Sequence, residues 1–307
     1  MKTIKITYSI ALALTCGLAA TLKAQDIYVA NYGGGSIGEY TTSGSTVNAS
    51  LITGLNNPDG ITISGNDLFV ANFAGDGLGP VGEYTTSGTT VNASFITGVH
   101  GAYDVAISGN NLFVSSEGAG PTGGTVGEYT TSGTAVNSSL ISGLIYPTGI
   151  ALSGGDLFVG TALSTAGGAS EISEYTTSGA TVNASLITGL NEPYEMVISG
   201  DDMFVANYGS DTVGEYTTSG TVVNASLITG LDGPTGIAIS GNDLYIANNI
   251  NGTLGEYTTS GAVVNADLIS GLENPIGIAI TPAPEPSTVA LVGLGTAALW
   301  LWRRRFV

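Results

Sequence analysis

The chain of 307 residues carries 24 acidic side chains against 6 basic ones, a formal charge of −18, and all six cations (Lys2, Lys5, Lys23, Arg303, Arg304 and Arg305) lie in its terminal segments. With no Lys or Arg between Ala24 and Trp302, the bulk of the chain cannot neutralise a nucleic-acid backbone and lacks the amine and cation that Schiff-base and phosphoryl-transfer chemistry use. The single cysteine, Cys16, falls in the N-terminal apolar segment, which excludes disulfides and thiol chemistry from the folded part.

Residues 1–24 read as a secretory signal peptide. Lys2 and Lys5 precede an apolar stretch from Ile10 to Ala20, and Leu22-Lys23-Ala24 ends in a small residue suited to cleavage. The new start, Gln25-Asp26, leads straight into an apolar strand, Asp26-Ile-Tyr-Val-Ala-Asn31.

From there one sentence repeats. Gly-Glu-Tyr-Thr-Thr-Ser-Gly occurs at Gly38–Gly44, Gly82–Gly88, Gly127–Gly133, Gly214–Gly220 and Gly255–Gly261, with Ser173 replacing the first Gly in a sixth copy. The motif glutamates Glu39, Glu83, Glu128, Glu174, Glu215 and Glu256 are 44, 45, 46, 41 and 41 residues apart. A period in that range signals a repeat architecture. Each period holds four short β-branched and aromatic runs separated by Gly, Asn, Asp, Ser or Pro, as in Ser64-Gly-Asn-Asp67, a strand-and-hairpin pattern. Four antiparallel strands per period predict a propeller blade, and packing of blade on blade accounts for strands that are apolar on both faces.

The ends of the array predict how the ring closes. Complete blades begin at Pro58, Ala102, Pro147, Pro193 and Pro234; the sixth is assembled from Pro275–Ile280 plus Asp26–Leu55, which removes an exposed sheet edge. The fold class expected is therefore all-β, a six-bladed β-propeller over residues 25–281. Pro234–Asn248, Pro-Thr-Gly-Ile-Ala-Ile-Ser-Gly-Asn-Asp-Leu-Tyr-Ile-Ala-Asn, resembles the NHL-type repeat. It departs from that pattern in lacking a basic residue at the opening of the third strand, in keeping with the exclusion of nucleic acid.

The tail, residues 282–307, begins Pro282-Ala-Pro-Glu-Pro286, continues as an apolar run from Ser287 to Trp302, and ends on Arg303, Arg304 and Arg305. A helix over 287–302 would rise about 24 Å, short of a hydrocarbon core of about 30 Å. The terminal arginines stay cytoplasmic by the positive-inside tendency, so the propeller is expected outside. Pro284-Glu285-Pro286, the short apolar helix and the arginine cluster resemble the PEP-CTERM sorting signal. That resemblance implies export by a Gram-negative bacterium that makes exopolysaccharide, transient anchoring in the inner membrane, and processing near the tripeptide by an exosortase-type enzyme.

Inside the propeller the candidates for chemistry are few. The one histidine, His100, lies on a loop, and no nucleophile elbow accompanies it. The starts of the innermost strands ring a propeller's channel, and there the chain places Asp59, Asp104 and Glu195. Asn72, Asn207 and Asn248 end second strands on the same face and are expected to join the acids as ligand-binding residues, and the following loops run through Asp76, Glu117 and Glu171. Asp59, Asp104 and Glu195 are the expected metal or polar-ligand site, with calcium suited to such oxygen ligands; the competing reading makes them solvated acids at a channel mouth. The expectation is an exported, non-catalytic binding or structural module at the cell surface or in the extracellular matrix, with a polysaccharide or protein partner. The alternative is a divalent-metal-dependent hydrolase or lyase of the gluconolactonase-like type, with Glu195, Asn207, Asn248 and Asp59 as the metal set. It rests on fold analogy alone.

Overall fold

The computed structural model describes residues 25–74, 77–120, 122–162 and 170–282. The signal segment 1–24, Asp76, Pro284, Glu285, Pro286, the helix expected over 287–302 and Arg303, Arg304 and Arg305 lie outside the described residues. Among the described residues no helix is long and apolar enough to cross a membrane.

Each blade opens on an inner strand that starts with Pro or Ala: Pro58–Ser64, Ala102–Ser108, Pro147–Ser153, Pro193–Ser199, Pro234–Ser240 and Pro275–Ile280. A leading Pro has no N–H to give the ladder and is tolerated at this position. In every complete blade the register then slips. Pro147 pairs with Thr161, but the next pair is Ile150 with Val159; Pro58–Asn72 is likewise followed by Ile61–Val70. The bulge lifts the second and third residues off the sheet, a device common next to functional sites. Ser64 then faces Asp67 across a two-residue turn in which Gly65 takes φ 62°, so Asp67 and its counterparts open the second strands as hairpin residues.

The chain forms six four-stranded sheets. Five are consecutive in sequence, and the sixth joins Pro275–Ile280 to Asp26–Asn31, Ser36–Thr41 and Thr46–Thr53. Gln25 Nε2 donates to the Thr281 carbonyl at 2.7 Å, and the backbone N–H of Asp26 donates to Thr281 Oγ1 at 2.8 Å. The two ends of the array thus close one blade. Each inner strand packs on the next around the ring.

The core lies in the seams between blades. One seam holds Tyr28, Ala30 and Ile37 of the closing blade against Ile61, Leu68 and Val70 of the Pro58 blade; another holds Phe113, Val126 and Ile141 against Ile150, Leu157 and Val159. Each such side chain contributes about 1.5–3 kcal/mol when fully buried. The repeated motif serves these seams. Tyr84 folds back over Gly82, where a Cβ would stand 2.6 Å from the ring. The Thr-Thr-Ser-Gly turn ends on Gly88 at φ +84°, and a Cβ there would stand 2.7 Å from the Leu51 carbonyl of the neighbouring blade. The motif glutamates are half-buried, and burial raises the carboxyl of Glu83, helped by Asp67 across the hairpin. Tyr28 and Tyr245 hydroxyls donate to Glu39 and Glu256.

Candidate functional site

Aligned on their first residue, the inner strands differ mainly at their second and third positions. The second is Asp59, Tyr103, Thr148, Tyr194, Thr235 and Ile276; the third is Gly60, Asp104, Gly149, Glu195, Gly236 and Gly277. Two of the three acids therefore stand where the other blades have glycine. Successive side chains on a strand point to opposite sides, so this one-residue offset matters.

The structure divides the channel into two cavities accordingly. The lower one, 360 Å³, is lined by Asp104 and Glu195 among the aliphatic residues of the inner strands, such as Ile107, Met196 and Ile239. The upper one, a vestibule of 460 Å³, has Asp59, Thr235 and Ile276 at its base. The three acids expected as one site are thus split, with Asp59 above and Asp104 and Glu195 below. Among the described residues no group of three or more His, Cys, Asp or Glu is placed to hold a metal ion.

The lower acids are bound to the backbone of the ring. The N–H of Val105 donates to Asp104 Oδ1 at 2.7 Å, and the N–H of Ile150, one blade on, donates to Oδ2 at 2.8 Å. The N–H of Ile237 likewise donates to Glu195 Oε2 at 3.1 Å. Burial pushes Asp104 up to about 7, against the pull of its two N–H donors toward the ionised form. Burial, and then the Asp104 carboxyl, push Glu195 well above the usual carboxylate range, while the N–H groups of Ile237 and Ile278 draw it back. The plain threonines stitch the same ring: Thr148 Oγ1 donates to the Pro193 carbonyl at 2.8 Å and Thr235 Oγ1 to that of Pro275 at 3.0 Å.

Asp59 is 5% exposed, and its carboxyl receives no hydrogen bond from the described residues. Burial, then the Asp104 carboxyl, push it well above its ordinary range. Above it stand five aromatic side chains that sequence reasoning did not bring together: Tyr32, Phe73, Tyr103, Tyr194 and Tyr208. Tyr32 and Phe73 rings lie 6.5 Å apart, Phe73 and Tyr103 4.9 Å, and Tyr194 and Tyr208 5.4 Å, all tilted. Burial raises the Tyr103 and Tyr194 hydroxyls far above their ordinary value, and the nearby Asp59 carboxyl adds to both, so they remain donors at any physiological pH. Asn249 and Asn274 complete the lining. The signal that finds this set is the residue after each second-strand end (Tyr32, Phe73, Tyr208) taken together with the second residue of each inner strand.

The asparagines behave differently. Asn72, Asn207 and Asn248 are buried, and neither cavity is lined by them. Asn72 Nδ2 donates to the carbonyls of Val70 and Pro80, Asn207 Nδ2 to that of Val205, and Asn248 joins Thr253 and the N–H of Asp232. The Oδ1 atoms of Asn72 and Asn207 are buried without a partner. Glu117 follows its second strand as expected, its N–H bonded to the Gly101 carbonyl at 3.0 Å. Glu171, expected in a loop, lies in the third strand Ser170–Thr176, opposite Thr161; that strand begins before its apolar pattern does. His100 is exposed and bridges Leu78, away from any nucleophile–base arrangement.

No curated protein matches the sequence. Among solved structures, a chain of the nidogen/laminin complex superposes with a TM-score of 0.69 at 13% identity, over 84% of this chain and 99% of that one. XC5397 from Xanthomonas campestris, a gluconolactonase, gives 0.59 at 12% identity, over 72% and 78%. A functionally unknown protein from Desulfotomaculum acetoxidans gives 0.58 at 19% identity, over 84% and 86%. At these identities the likeness is one of fold. Residues 282–305 match the model of the PEP-CTERM protein-sorting motif. The chain is a six-bladed β-propeller followed by a PEP-CTERM sorting motif, which implies an exported protein processed by an exosortase-type enzyme.

Proposed function

We propose that this chain is an exported, non-catalytic binding module of the cell surface or extracellular matrix, and that the upper vestibule is its binding site. Residues 1–24 direct export, the apolar run 287–302 anchors the chain in the inner membrane, and processing near Pro284-Glu285-Pro286 frees the propeller. Its partner is a matrix polysaccharide or protein. The observation that carries this reading is the vestibule itself. It joins five aromatic faces to a single carboxyl group, Asp59, while the other two acids serve the lower cavity. Concave sites of about 300–1,000 Å³ with aromatic walls and a few polar groups are typical of ligand binding. Asp59 is the one carboxyl in the vestibule's lining among the described residues, and burial keeps the Tyr103 and Tyr194 hydroxyls protonated.

The test is retention of the exported protein by the matrix fraction of its own cells. Retention falls at least tenfold in Phe73→Ala and Tyr194→Ala, while the melting curve stays cooperative. Unchanged retention in both variants overturns the reading. The metal-dependent hydrolase or lyase alternative has one supporting observation, the fold likeness to a gluconolactonase. Turnover of a lactone by the purified protein, dependent on calcium or zinc and lost in Asp59→Asn, would favour it instead.

A further inference from the structure

We propose that the vestibule binds a neutral sugar residue of a polysaccharide chain, held between two aromatic walls; this rests on the vestibule being the binding site. The walls come from different blades. Tyr32, Phe73 and Tyr103 belong to three consecutive blades and form one continuous tilted stack. Tyr194 and Tyr208 form the second, on the Pro193 blade, three positions round the ring from the Pro58 blade that supplies Phe73. The walls therefore face each other across the channel axis, with Asp59 at the base of the space between them.

That arrangement matches the two kinds of surface a pyranose presents. Its ring faces carry polarised C–H groups, which rest favourably against the electron-rich face of an aromatic ring. Its edge carries hydroxyls that both donate and accept. At the base, the Asp59 carboxyl lines the vestibule and receives no hydrogen bond from the described residues, so its hydrogen-bonding capacity is turned toward a ligand. In its protonated form it offers one donor and one acceptor. The Tyr103 and Tyr194 hydroxyls add donors that never ionise in the working range, and Asn249 and Asn274 at the margin add amides.

Charge selects among sugars. A uronate, sulfate or phosphate substituent needs a cation or an N–H cluster to replace its water. The chain has no Lys or Arg between Ala24 and Trp302, and its net charge of −18 repels an anionic polymer at low salt. The N–H groups of Val105, Ile150 and Ile237 are taken by Asp104 and Glu195 in the lower cavity. A neutral hexose polymer meets neither obstacle.

The experiment is affinity electrophoresis of the full-length chain in gels containing laminarin, dextran, mannan or galactan, with alginate and polygalacturonate as acidic counterparts. Calorimetry with oligosaccharides of any retarding polymer follows. At least one neutral polymer retards the wild type, and neither acidic polymer does. Phe73→Ala and Tyr194→Ala each weaken binding tenfold or more; Tyr194→Phe, which keeps the ring and folds more safely, weakens it less. Retardation by the acidic polymers alone, or by no neutral polymer, overturns the sugar assignment. So does equal binding by wild type and both alanine variants. If the alanine variants lose matrix retention yet no neutral polymer binds, the ligand class is wrong and the vestibule stands; if retention is unaffected, the vestibule itself is wrong.

Discussion

Replacing Asp104 by Asn tests how the lower channel is held together. Above pH 3.8 an unfolded aspartate is ionised, whereas burial keeps the folded Asp104 protonated up to about pH 7. Unfolding in that window releases a proton, so the stabilisation this group provides is complete below pH 3.8 and is lost progressively as pH rises from there through 7. A proton held by the folded chain alone makes stability fall by about 1.36 kcal/mol for each step of one in pH, so between pH 5 and pH 8 the wild type loses on the order of 3 kcal/mol through this one residue. Asn resembles the protonated acid: one oxygen accepts an N–H, and the other position carries hydrogen, so one of the donors Val105 or Ile150 loses its acceptor. It has no charge to desolvate. The two proteins should therefore differ most in the wild type's favour at pH 5, by the roughly 1–2 kcal/mol of a lost hydrogen bond, and the variant should gain about 3 kcal/mol on the wild type by pH 8. Urea unfolding at both pH values measures this difference of differences; pH 5 stays above the isoelectric point of 4.1. Glu195 shifts the result the same way, because removing the Asp104 charge lets its carboxyl ionise more easily. A stability difference that is the same at pH 5 and pH 8, or that moves toward the wild type, would refute the account of a buried carboxyl held against its desolvation cost.

Other perturbations probe other links. Gly60→Ala places a Cβ 2.6 Å from the Asp104 Cα and 2.8 Å from the Tyr103 carbonyl, both backbone atoms, so a loss of about 2–4 kcal/mol is expected in chemical denaturation; an unchanged midpoint would mean the inner strands can separate freely. Because the propeller has no Lys or Arg, its charges only repel, and adding about 0.2 M sodium chloride should raise the melting temperature, with each 1 kcal/mol showing as roughly 2–4 °C; a fall with salt would contradict this. Calcium titration by calorimetry should show only weak binding that salt abolishes, since Asp59 and the lower acids line different cavities; one tight site with a raised melting temperature would restore the metal reading.

The frame was legible because its physics is local and repeated. A period of 41–46 residues, hairpin turns such as Gly65-Asn66 and a repeat array whose last run, Pro275–Ile280, matches the first strand of a repeat leave little choice of architecture. The site was less legible for a physical reason. Asp59, Asp104 and Glu195 all fall near inner-strand starts, and equivalent places in the repeat suggest one cluster. Alternation along the strand sends the second residue up and the third down, so Asp59 parts from Asp104 and Glu195. The repeat places all three at strand starts, and the one-residue offset between them decides which cavity each lines. The asparagines misled differently: Asn72, Asn207 and Asn248 recur because a strand end needs a side chain to satisfy nearby backbone groups, as Asn72 does for Val70 and Pro80.

Where the repeats agree, the residue serves the seams; where they disagree, the ring is free to specialise. Leu68, Tyr84, Gly82 and Gly88 have counterparts in nearly every blade, and each is fixed by a neighbour it would strike or leave bare. Above the channel the blades diverge. The closing, Pro58, Ala102 and Pro193 blades present Tyr32, Phe73, Tyr103, Tyr194 and Tyr208, whereas the Pro147 blade has Thr148 and Ala162 and the Pro234 blade has Thr235 and Asn249 at the same positions. These rings are half-buried against one another at the cavity wall, outside the six apolar seams that close the fold. Rings gathered on one mouth of a channel, on a frame otherwise kept uniform, are what the proposed ligand site would use. The Pro193 wall stands between two blades without rings, which gives the vestibule a direction across the ring rather than six-fold symmetry. A directional cleft suits an extended chain better than a small symmetric ion.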